Sequence, residues 1–135
     1  MKKRTLSLFS FSLLLALASS ASAQLSQRYP GASLVSGYTS NITDTTSTEV
    51  IAANTNNRIY LTQITITNSS SGTASVVKVL NGTTTKYRFN ASAGGGASIT
   101  LVSPLRGEKN TAWNCQPETS GAAVQCSFSG YLYGD

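Results

Sequence analysis

The sequence predicts an all-β domain: an antiparallel, jelly-roll-like β-sandwich of about eight strands. Three observations carry that expectation. Short runs rich in Val, Ile, Thr and Tyr recur about every ten residues, separated by Gly, Asn, Ser and Pro clusters. No segment repeats apolar residues at a helical period. Only 11% of the 135 residues are charged, which suits an extracellular β domain.

Residues 1–23 read as a secretory leader, with Lys2, Lys3 and Arg4 before an apolar run from Leu6 to Leu17. Ala21-Ser22-Ala23 supplies the small residues for cleavage after Ala23. The apolar run is too short and wrongly flanked for a membrane span, and none follows in the mature chain. The expected location is therefore secreted or periplasmic, in a bacterium. Residues 24–31 read as a polar linker ending in a Pro30-Gly31 turn, and 32–135 as the sandwich domain.

Cleavage leaves 112 residues with seven basic and five acidic side chains, a net charge of +2. A charge that small does not indicate nucleic acid, which calls for a clustered basic face. Cys115 and Cys126 are the only cysteines. Export makes their pairing the expectation, against two buried free thiols.

Strands are expected near 32–39, 48–53, 58–67, 74–80, 84–90, 97–103, 111–116 and 122–131. The third changes phase, because Ile59 and Leu61 are odd-numbered while Ile64 and Ile66 are even. A bulge at Thr62-Gln63 reconciles them; the alternative is a strand buried on both faces. Around Asn81-Gly82, Val77 and Val79 need the same face as Tyr87 and Phe89. A three-residue loop, Leu80 to Gly82 with Gly82 left-handed, achieves this and gathers Lys78, Lys86 and Arg88 outside as a candidate basic face. The last two strands are expected to form a hairpin with Cys115 opposite Cys126, Trp113 opposite Phe128 and Pro117 opposite Val124.

Histidine is absent, which removes the commonest general base and metal ligand. No convergent catalytic constellation, metal set or phosphate loop is legible, so no catalytic residue, metal or cofactor is assigned. Asp44 and Glu49 are the one carboxylate pair that a secreted glycoside hydrolase could use. Tyr60, Tyr131 and Tyr133 have the opposite parity to core residues and are expected to be more exposed. They are candidate stacking residues for a sugar ring; rim sealing or subunit contact is the alternative use. Asn41, Asn68, Asn81 and Asn90 each begin an N-x-[ST] sequence, to which no glycan is assigned.

Ser36-Gly37-Tyr38, Asn81-Gly82, Pro104-Leu105-Arg106-Gly107 and Ser129-Gly130-Tyr131 form an ordered set across 32–134. This set resembles a small β-sandwich module of tailed-phage and prophage-associated structural proteins. The resemblance implies a non-enzymatic structural or surface-attachment role, often oligomeric, and no reaction. The leader points to an exported bacterial or prophage-derived protein. The expected partners are further copies of the chain, as a homo-oligomer, or an envelope or surface polysaccharide. A carbohydrate-binding module is the alternative reading.

Overall fold

A computed structural model describes residues 30–134. The expected leader, its expected cleavage site and most of the expected linker lie outside the described residues. Every described strand belongs to one compact unit that begins at Ser33. The strands are β1 (Ser33–Tyr38), β2 (Thr48–Ile51), β3 (Arg58–Asn68), β4 (Ser75–Asn81), β5 (Thr84–Ala91), β6 (Gly96–Arg106), β7 (Trp113–Pro117) and β8 (Val124–Tyr133).

They form two antiparallel four-stranded sheets, ordered β1-β8-β3-β6 and β2-β7-β4-β5. The pairs β1–β8, β2–β7, β3–β6 and β4–β5 describe a long double ribbon whose tip is the β4–β5 turn. Rolled up, that ribbon gains the β3–β8 and β4–β7 pairings and becomes a jelly roll. The fold class read from the sequence is therefore the one observed.

Alternation builds the core. Ile59, Leu61, Ile64, Ile66 and Phe128 from one sheet meet Val77, Val79, Phe89, Trp113 and Cys115 from the other. Thr62 is an extra residue between Leu61 and Gln63, so odd and even positions of β3 both reach the interior. This is the bulge expected from the phase change. The Thr62 hydroxyl donates to the Ser129 carbonyl (3.3 Å) across the break in the ladder.

The β4–β5 turn differs in detail from its expectation. Val77 opposes Phe89 and Val79 opposes Tyr87, but the strands continue to Asn81 opposite Thr84. The tip is thus Gly82-Thr83, with Gly82 at φ 61°, and Lys86 is the extra residue that corrects the phase.

The final hairpin is overturned. The strands β7 and β8 lie in different sheets, so Trp113 does not pair with Phe128, nor Pro117 with Val124. The Cys115–Cys126 disulfide, with Cα atoms 6.4 Å apart, ties one sheet to the other. All these side chains point inward as expected. Inward alternation is the same whether two strands pair edge to edge or face each other across a core. It could not distinguish the two arrangements. The Trp113 indole N–H adds a second link, donating to the Ile59 carbonyl in the opposite sheet (3.3 Å).

Gly37 stands where β1 crosses Val50; a Cβ there would lie 1.8 Å from the Val50 carbonyl oxygen. Gly130 is as tightly placed, with the Tyr60 carbonyl oxygen 2.0 Å from its would-be Cβ. Each Ser-Gly-Tyr sequence therefore puts glycine at a close backbone approach and tyrosine on the opposite side of the strand.

Asn68 is a buried hub. Its amide nitrogen donates to the Thr73 and Ala91 carbonyls, and its oxygen accepts from the Ser70 and Ala123 N–H groups. Four backbone groups from three connections thus depend on one side chain.

Two stability outcomes follow. Replacing Cys115 and Cys126 together by Ala should lower unfolding free energy by about 3 kcal/mol, read from denaturant midpoints. Asn68→Ala should cost at least about 2 kcal/mol by the same measurement, because buried backbone groups lose their partners.

Candidate functional surface

The outward side chains of the β1-β8-β3-β6 sheet are organised in rows set by the strand register. One row runs Leu34, Tyr131, Tyr60, Arg106. The next runs Ser36, Ser129, Gln63, Thr100, and a third Tyr38, Ser127, Thr65, Ser98. The Thr65 and Ser98 hydroxyls are hydrogen-bonded at 2.7 Å. The four strands carry two charged residues, Arg58 and Arg106, both at the same end. The face is otherwise hydroxyl, amide, aromatic and aliphatic.

Tyr60 and Tyr131 are cross-strand partners whose rings stack 5.2 Å apart with planes 6° from parallel. Tyr131 is only 2% exposed, against the expectation of an accessible ring. Parity gave its direction correctly. The ring is nevertheless covered, because a neighbouring aromatic lies flat against it. Tyr60 and Tyr133 are half-buried.

Large apolar side chains do reach solvent on this sheet. Leu34 is 71% exposed and Tyr38 82%, both on β1, and Val102 on β6 is fully exposed. Sequence reasoning missed these three. Leu34 and Tyr38 share the parity of Ser36, a usable signal. Val102 gave none, because it lies in an insertion. Between Leu61–Leu105 and Gln63–Thr100, β3 holds one residue where β6 holds four, Leu101 to Pro104. Leu101 packs on the core, so Val102 turns away from it. An open depression of about 260 Å³ lies at the same level, lined by Leu34, Val35, Ser36, Thr62, Ser129 and Gly130.

The three candidate basic residues do not form a purely cationic patch. Lys78 and Arg88 are cross-strand partners, and both contact one Glu118 oxygen, at 2.8 and 3.3 Å. The hydrogen bond from Lys78 and the charges of Arg88 and Lys78 hold the Glu118 carboxyl below the ordinary glutamate range, against partial desolvation. Lys86 sits on the bulge nearer Glu108. The hydrogen bond and charge of Arg58 (2.8 Å) lower the Glu108 pKa, with smaller contributions from Lys86 and Arg106.

Asp44 and Glu49 are both exposed. Asp44 accepts the Thr46 N–H (2.9 Å) in a local turn and lines a polar depression with Asn41 and Thr43. Glu49 lies on β2 opposite Asn114. Of the four N-x-[ST] asparagines, Asn41 and Asn90 are exposed, while Asn68 and Asn81 are buried. Asn81 accepts the Glu108 N–H (2.6 Å) and donates to the Thr111 and Ala112 carbonyls, which fastens the Arg106-Gly107-Glu108 loop to the β4–β5 ribbon. Among the described residues no cluster of three or more His, Cys, Asp or Glu could hold a metal ion. No helix among them is long and apolar enough to cross a membrane.

No family model matches the chain, and no curated protein matches it. Among solved structures it is similar to a chain of the cyanophage Pam1 capsid asymmetric unit. That likeness has a TM-score of 0.44 and 18% identity, covering 76% of this chain and 85% of the other. A similarity so slight has no bearing on role, and the jelly-roll assignment rests on the strand order itself.

The lowered Glu118 and Glu108 carboxyls set the sign of an acid response. Their contribution to stability is present above the unfolded-state glutamate pKa, about 4.3, and is lost as pH falls through the lower folded values. Urea midpoints should therefore drop between neutral and strongly acidic pH, and Glu118→Gln should flatten part of that slope.

Proposed function

We propose that the protein is an exported, non-enzymatic structural or surface-adhesion module of prophage or virion-like type, acting through an outer sheet face and through self-association. One observation supports this above the others. Among the described residues the exposed large hydrophobic side chains, Leu34, Tyr38 and Val102, all belong to the two edge strands of one sheet. Isolated apolar residues on a surface need no explanation, but three large ones spread over the edges of a single nearly uncharged face suit a contact surface. The ordered Ser-Gly-Tyr, Asn-Gly and Pro-Leu-Arg-Gly set supports the phage-like reading. The leader pattern and the buried disulfide support export before folding.

A carbohydrate-binding reading is favoured by Tyr38 beside the Ser127, Thr65 and Ser98 hydroxyls. An accessible ring next to hydroxyl donors suits a sugar face. In that reading Tyr38, which sequence reasoning did not single out, takes the stacking role in place of the covered Tyr131.

Export is tested by expressing the full chain in a bacterium and weighing the product of each cell fraction. The expected product begins at Gln24, lies outside the cytoplasm and has no alkylatable thiol. An uncleaved cytoplasmic product with two free thiols overturns the reading.

A further inference from the structure

Resting on the reading that the protein works through its surface, we infer that two copies pair face to face through the β1-β8-β3-β6 sheet. In that pair each Val102 seats in the other copy's depression beside Leu34. The sheet carries a projection near one edge and a hollow near the other. Val102 stands clear of the surface on the β6 insertion, opposite Thr62. Thr62 also helps line the hollow, together with Leu34, Val35, Ser36, Ser129 and Gly130. Projection and hollow therefore occupy one level along the strands, at opposite sides of the sheet.

A two-fold axis parallel to the strands, midway between facing copies, exchanges the sheet's left and right and preserves level. It carries each β1 over the partner's β6, so one operation makes both projection-to-hollow contacts. Sheets packed face to face with strands about 30° apart are an ordinary arrangement. With strands spaced about 4.8 Å and rising about 3.3 Å per residue, the face is roughly 20 by 30 Å, on the scale of a standard interface of about 800 Å² per partner. The two charged residues of these strands, Arg58 and Arg106, lie together at one end, so little charge must leave water elsewhere. The occupant is a second copy because the complementary shapes occur on one molecule.

The test uses product purified after expression of the full chain. Sedimentation velocity across a concentration series should show a reversible dimer. Val102→Asp and Leu34→Asp should each raise its dissociation constant at least about ten-fold. Both sites are exposed, so circular dichroism and the intact Cys115–Cys126 bond should be unchanged. Mixing Val102→Cys with Ser36→Cys should give a mixed disulfide dimer faster than either variant dimerises alone. A strict monomer at high concentration overturns the pairing. So does a dimer indifferent to both charge substitutions, though that leaves the surface-module reading standing. A monomer that binds envelope polysaccharide through Leu34 and Val102 assigns the face to glycan and also overturns it.

Discussion

The sandwich depends on the apolar layer around Cys115 and Cys126, which joins two sheets that share no ladder hydrogen bonds. The bond closes a loop with a sequence separation of 11 residues, and its entropic effect on the unfolded chain is worth about 3 kcal/mol. For a domain near a hundred residues, that is a substantial part of a total of about 5–15 kcal/mol. Trp113 and Phe128 are fully buried two positions from each half-cystine. The Trp113 indole would be costly to bury without the Ile59 carbonyl that accepts its N–H hydrogen bond. Covalent bond, ring packing and indole hydrogen bond thus act at one place.

The ends of the roll are fastened by a different chemistry. Connections there carry backbone groups that neither sheet can pair, and buried asparagines answer them. Asn68 gathers the connections after β3, β5 and β7; Asn81 holds the one after β6. Thr39 does the same at the exit of β1, its hydroxyl accepting the Cys126 N–H (3.0 Å). Salt links such as Arg58–Glu108 are more exposed and add less, since water competes for both partners. The connections at both ends are thereby fastened from within the fold.

Much of this was legible in the residues. Strand positions follow from alternation and turn clusters. The phase change between Leu61 and Ile64 located the Thr62 bulge, and the odd numbering of Val77, Val79, Tyr87 and Phe89 required a slip in the β4–β5 ribbon, which was expected in the turn and is found at Lys86. What alternation cannot encode is which strand lies beside which. That is why Trp113 and Phe128 read as a cross-strand pair when they meet from opposite sheets. Parity also reports direction without coverage, so Tyr131 was turned outward correctly and credited with exposure it lacks. The four-against-one insertion carrying Val102 left no trace, because Leu101 continues the inward pattern straight through it. The structural roles of Asn68 and Asn81 were not legible, since nothing local distinguishes a solvated asparagine from one whose amide is consumed by distant backbone.

The place of β8 has a consequence for how the chain comes to be folded. That strand sits between β1 and β3, so it is an inner member of its sheet although it is the last of the described strands. Until it arrives, β1 has no neighbour to lie against and β3 is paired along one side only. Contacts so remote in sequence make for slow closure. Closure of that sheet therefore waits on Val124–Tyr133, the segment that bridges β1 to β3.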